Sequence, residues 1–142
     1  MIDRDASEAR SDRILARAEA LARKEAGDSA RAQVIIDAFV RKALAAGLPT
    51  RRLKARAYTG DARYRTEIEG WYVRKDCSVG IDPQGRYYVL LTPASLAARV
   101  KGVELQPSAP PLYLGYGALD GESISLEDLL KRRLAAGTGF PS

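Results

Sequence analysis

Two hydrophobic periods divide the chain. Up to about residue 46 the apolar positions recur every three or four residues, and beyond residue 51 they alternate with polar ones. In the first part Ile14, Leu15, Ala18, Leu21 and Ala22 share one side of a helical wheel, which predicts a helix over 6–26. Its stripe is thin and rich in alanine, so this helix must dock or pair to persist in water. Gly27-Asp28-Ser29 reads as a break, with Ser29 able to cap a second helix over 30–46. Ile36, Phe39, Val40, Ala43 and Leu44 give that second helix a broad apolar face. Gly47 suits a left-handed stop, Leu48 can fold back as its hydrophobic contact, and Pro49 prevents continuation. The two helices together predict an N-terminal helical hairpin.

The alternating part predicts strands. Arg52-Leu53-Lys54-Ala55-Arg56-Ala57-Tyr58 is a half-buried strand, Thr59-Gly60-Asp61-Ala62 a turn, and residues 65–73 a second strand. Residues 76–81 make a short third strand. Asp82-Pro83-Gln84-Gly85 is a turn, and Arg86–Leu91 a fourth strand. Short connections between neighbours predict an antiparallel meander. Thr92 is placed to cap a short helix with Pro93 in its first turn, ended by Gly102. Val103–Leu105 and Leu112–Leu114 can add short edge strands. Ser125 caps a last helix over 126–135, with Leu126, Leu129, Leu130 and Leu134 on one face and Lys131, Arg132 and Arg133 near the end that favours cations.

The expected architecture is therefore α+β: an N-terminal helical hairpin, an antiparallel meander of four to five strands, and a C-terminal helix. Residues 1–28 form the N-terminal helix, free to move or to dimerise, 29–136 a single α+β domain, and 137–142 a disordered tail. Leu53, Ile68, Val89 and Leu91 of the strands, with Ile36, Phe39 and Val40 of the second helix, are the expected core.

Composition narrows the function classes. The chain has 142 residues, no histidine and one cysteine. Its apolar runs are too short to span a membrane, and the charged start Met1-Ile2-Asp3-Arg4-Asp5 is unlike a secretory signal. Cys77 has no disulfide partner and no companions for a metal site. These features point to the cytosol, with no metal and no cofactor.

Charge is the most informative signal. Residues 51–75 hold eight Lys/Arg against three Asp/Glu, so this stretch alone matches the formal net charge of +5. It also contains Tyr58, Tyr64, Trp71 and Tyr72. The candidate binding residues are Arg52, Lys54, Arg56, Arg63, Tyr64, Arg65, Trp71, Tyr72, Arg74 and Lys75. Two readings stand. If Tyr58 pairs with Arg65, then Arg56 faces Glu67 and Lys54 faces Glu69, a solvated charge ladder with each pair contributing roughly 0.2–1 kcal/mol. Alternatively the hairpin is a binding surface for an acidic protein partner, or for nucleic acid, with cations on phosphates and aromatic rings stacking on bases.

Other chemistry is sparse. Gly115-Tyr116-Gly117-Ala118-Leu119-Asp120-Gly121 precedes a helix, but Asp120 and Glu122 would repel a phosphate and no P-loop lysine follows. An enzyme using the Gly115–Glu122 loop is the third-ranked reading. Ser78, Ser95, Ser123 and Ser125 have no histidine to serve as base. Cys77 reads as a buried, inert thiol beside Asp76. The expectation is a non-enzymatic interaction module with an acidic protein partner, nucleic acid as the alternative, no membrane, and homodimerisation through the first helix as a further option.

Several stretches are similar to a known group. Gly70-Trp71-Tyr72-Val73-Arg74-Lys75, Asp82-Pro83-Gln84-Gly85-Arg86-Tyr87-Tyr88-Val89-Leu90, Pro110-Pro111-Leu112 and Asp120-Gly121-Glu122-Ser123-Ile124 resemble small uncharacterised proteins of high-GC Gram-positive bacteria. The resemblance spans about the last two-thirds of the chain. It implies a bacterial cytosolic protein and carries no activity or site.

Overall fold

The computed structural model describes residues 2–115 and 123–140, with side chains from residue 5. The class is α+β as expected, with one correction at the N-terminus. The two expected helices are a single helix, α1 (Ile2–Ala45), so there is no helical hairpin. Gly27 continues the helix because a glycine inside a helix costs only about 1 kcal/mol against alanine. Asp28 and Arg31 form an ion pair one turn apart across the expected break.

The helix stops where the sequence says. Gly47 adopts a φ of 69°, and Leu48 N–H reaches back to the Ala43 carbonyl at 2.9 Å. Only the second half of α1 is docked. Ala32, Ile36, Phe39, Val40 and Ala43 are buried, whereas Ile14, Leu15 and Leu21 are 60%, 60% and 57% exposed.

Five strands follow: β1 (Arg51–Ala57), β2 (Arg63–Tyr72), β3 (Val79–Ile81), β4 (Tyr87–Val89) and β5 (Leu91–Thr92). They form one sheet in the order β4-β3-β2-β1-β5. β1 to β4 are antiparallel neighbours, as the meander predicts, but β5 returns to the far edge and pairs parallel with β1. The sheet is therefore mixed. A short helix, α2 (Leu96–Lys101), starts at Ser95, whose hydroxyl accepts from Ala98 N–H. Ser95, not Thr92, is thus the cap, and Gly102 ends the helix as expected. β6 (Tyr113–Leu114) pairs with β7 (Ile124–Ser125) in a separate two-stranded ladder. Val103–Leu105 is not a strand. The last helix, α3 (Leu126–Ala136), is capped by Ser125 through Asp128 N–H, as predicted.

The main core lies between α1, α3 and the β2–β4 end of the sheet. Phe39 meets Trp71 edge to face, with centroids 5.6 Å apart. Trp71 Nε1 donates to the Leu48 carbonyl at 3.0 Å, which ties the helix stop to β2. Leu53, Tyr72, Cys77, Tyr88 and Leu90 form a second cluster, and α2 covers Ala57 and Tyr64 in a third. Glycine is needed where β2 lies against β3: a methyl on Gly70 would meet the backbone carbonyl oxygen of Ile81 and sit 2.9 Å from Asp82 Cα. Leu53, Ile36, Phe39 and Val40 are buried as expected. Ile68 and Leu91 are half-buried, and Val89 is exposed while Leu90 takes the core position.

The segment after the last helix also differs from expectation. Gly137–Gly139 forms a 3-10 turn, and the ring of Phe140 packs against the second cluster. Residues 141–142 lie outside the described residues.

Candidate functional site

The basic hairpin is the β1–β2 pair. Alternation sends Leu53, Ala55 and Ala57 inward and leaves Arg52 and Lys54 exposed, with Arg56 half-buried. On β2 it exposes Arg63, Arg65, Glu67 and Glu69 and buries Tyr64 and Thr66. The register decides what these outward residues face. The observed partners are Arg56↔Arg63, Lys54↔Arg65 and Arg52↔Glu69, with an irregularity between Arg52 and Lys54. The expected ladder, Arg56 on Glu67 and Lys54 on Glu69, does not form. Thr66 bridges the irregularity: its hydroxyl donates to the Leu53 carbonyl at 2.6 Å and accepts from Ile68 N–H.

Four cations consequently occupy two adjacent cross-strand pairs. Cβ atoms in such pairs lie about 4.5–5.5 Å apart, and like charges directly opposite are destabilising. Compensation is partial and mostly polar. Arg56 donates to the Asp76 carbonyl at 3.3 Å, and Arg65 to the Val100 carbonyl at 2.6 Å. None of the four forms an ion pair with a described residue. The carboxylates sit at the other end, where Glu67 pairs with Arg52 at 3.2 Å. The face is thus a cationic square, Lys54, Arg56, Arg63 and Arg65, next to an acidic margin.

The aromatic part of the expectation fails. Tyr64, Trp71 and Tyr72 are 2%, 1% and 6% exposed and belong to the core. Their hydroxyls and indole serve the fold. Tyr64 OH accepts from Ser95 N–H at 3.0 Å and Tyr72 OH from Lys54 N–H at 2.8 Å. None of these three rings can stack on a base. The alternation of Tyr64 with Arg63 and Arg65 already carried that information, because neighbours on a strand point to opposite faces. Tyr58, at the end of β1, is 65% exposed and is the aromatic of the hairpin that reaches solvent.

Arg74 and Lys75 lie in the turn after β2, whose Asp76 carbonyl accepts from Arg56, and neither belongs to the two cross-strand pairs of the square. Arg74 is held by the Gly115 carbonyl at 3.1 Å and is 3.9 Å from Asp76. The same turn corrects the expectation for Cys77. It is buried, as anticipated, but it lies in the turn with a φ of 61° and not in a strand. Of the Gly115–Glu122 loop, residues 116–122 fall outside the described residues.

A second polar cluster surrounds Asp82. Its carboxylate accepts from Gln84 N–H, Arg86 N–H and, at 2.6 Å, Arg86 Nε. That hydrogen bond and the carboxylate charge raise the Arg86 guanidinium above its ordinary value. The cluster closes the Asp82–Gly85 turn and lines a cleft of about 370 Å³ with Glu67, Glu69 and Glu104. Its buried carboxylate is fully occupied by these partners, so the cluster is structural. Among the described residues no group of three or more His, Cys, Asp or Glu is placed to hold a metal ion, and no helix is long and apolar enough to cross a membrane.

The chain matches no family model, no curated protein and no solved structure.

Proposed function

We propose that this protein is a non-catalytic interaction module of a bacterial cytoplasm. Its outer β1–β2 face binds an acidic protein partner. One observation carries the reading: the register sets Arg56 against Arg63 and Lys54 against Arg65, although Glu67 and Glu69 stand on the same strand. A face selected only for stability would place carboxylates opposite these cations. An acidic surface laid over the square would supply the missing counter-charges and relieve the repulsion on binding.

Nucleic acid is the second reading, favoured by the same four cations, which suit phosphates. The burial of Tyr64, Trp71 and Tyr72 weighs against it, because base stacking would be left to Tyr58. Four cations release at most about four counterions, so binding to duplex DNA would show a log–log salt slope no steeper than about −3.6.

The test is capture from native lysate by the wild-type chain and by a Lys54→Glu/Arg63→Glu variant, with and without nuclease. Lys54 is preferred to Arg52 because Arg52 is already paired with Glu67. Nuclease-resistant material captured by the wild type and lost with the variant is the expected result. Nuclease-sensitive material would transfer the reading to nucleic acid. Equal capture by both proteins would remove the face from consideration.

A further inference from the structure

Away from the cationic square, at the start of β1, a cavity of about 210 Å³ opens between the sheet and the end of α3. Its walls include Thr50, Arg51, Tyr72, Arg133, Thr138 and Phe140. Arg133 is the unusual member. It is 5% exposed, yet no carboxylate of a described residue pairs with it. Buried charges are ordinarily paired, because an uncompensated one is costly.

Among the described residues the guanidinium is oriented by neutral groups. Nε donates to the Tyr72 carbonyl at 2.6 Å and Nη1 to the Gly137 carbonyl at 2.8 Å. The Phe140 ring lies 4.4 Å from the guanidinium carbon. These contacts fix the plane of the fork. Nη2 makes no hydrogen bond to a described residue. The cavity opens beside this guanidinium.

Arg51 is a second cation lining the cavity. Its guanidinium rests 4.7 Å from the centre of the Tyr72 ring and also has no acidic partner among the described residues. The two charges feel each other: burial lowers the Arg133 pKa from its ordinary value, and the Arg51 charge lowers it further. Two like charges at one small cavity favour an anion between them. The hydroxyls of Thr50 and Thr138 add neutral donors at the rim.

We infer that this cavity is a binding site for a small oxyanion, a carboxylate or a phosphate, held between the Arg133 and Arg51 guanidiniums. Planar guanidinium forks match both groups through paired N–H donors. The volume suits the anionic group with few further atoms. This site is independent of the β1–β2 face and does not rest on its function.

The test uses the full-length ¹⁵N-labelled protein. Inorganic phosphate and acetate are titrated separately at constant ionic strength, and the Arg133 Nε–H and the Gly137 and Thr138 amide signals are followed. At least one anion should give saturable shifts, with half-saturation at or below about 5 mM. Arg51→Gln, an exposed change that leaves the Arg133 contacts intact, should raise that concentration at least fivefold, whereas Arg63→Glu should leave it unchanged. Which anion saturates identifies the preferred group. Linear shifts with both anions would overturn the assignment. So would saturation that Arg51→Gln does not weaken, or that Arg63→Glu abolishes.

Discussion

Arg63→Glu should stabilise this protein. The change replaces the like-charge pair Arg56↔Arg63 with an opposite-charge pair at the same register position. Relief of the repulsion and gain of the attraction are each about 0.2–1 kcal/mol for directly opposed strand residues. Arg63 is exposed, so solvent screening brings the sum to roughly 0.5–1 kcal/mol. With a urea dependence of about 2 kcal/mol/M, the unfolding midpoint should rise by roughly 0.25–0.5 M. Arg63→Gln removes the repulsion alone and should give about half the gain. Raising NaCl to about 0.5 M shortens the screening length to about 4 Å and should shrink both gains by half or more. A lower midpoint for Arg63→Glu at low ionic strength would refute the reasoning, because a compensated charge ladder predicts loss. A gain indifferent to salt would refute it too, since its origin would not be electrostatic.

Other consequences are independent of the face. Gly27→Ala should raise helicity at 222 nm and stabilise by about 0.5–1 kcal/mol, because Gly27 lies inside α1 with open space at its Cβ; loss of helicity would restore the break. Phe39→Ala, removing a ring buried against Trp71, should cost roughly 3–5 kcal/mol in urea unfolding, and a midpoint shift no larger than that of Arg23→Ala would contradict the core assignment. Burial pushes the Tyr87 hydroxyl up to about 12 from 10.0, so the folded state holds this proton more tightly. That contribution is complete below about pH 10 and is lost as pH rises toward about 12, removing roughly 2–3 kcal/mol. Tyr87→Phe should flatten this alkaline decline, and an unchanged pH profile would show that Tyr87 does not cause it.

Features with a local physical cause were legible in the sequence. The Gly47-Leu48-Pro49 stop and the Ser125 cap depend on a few neighbouring atoms, and both form as read. What depends on long-range balance was not. Gly27-Asp28-Ser29 looks like a break, but one glycine is a small cost against a long run of good helix formers. Tyr87 to Leu91 is uninterruptedly apolar, so alternation could not choose between Val89 and Leu90 for the core. The β1–β2 faces followed from alternation, whereas their register depends on the irregularity beside Lys54 and on a loop closed by Ala57 N–H to the Ala62 carbonyl. That register shift separates a charge ladder from a cationic square. Sequence position alone groups Arg133 with Lys131 and Arg132 at the helix end that favours cations. Its spacing from Leu126, Leu129 and Leu130, seven, four and three residues, puts it on their buried face. Arg51 gave no sequence signal of its own, since only the fold brings it to the same cavity.

The central claim is that the Lys54, Arg56, Arg63 and Arg65 square exists for an acidic partner. Titrating poly-glutamate into the wild-type chain and the Lys54→Glu/Arg63→Glu variant tests it most directly. The same two proteins are compared by urea unfolding, at about 0.05 and 0.5 M NaCl, where the screening length falls from more than 10 Å to about 4 Å. The account predicts saturable wild-type binding that weakens steeply with salt and is lost in a variant that is folded and more stable. Equal binding by both proteins, or a variant that binds nothing and is also less stable, would contradict it.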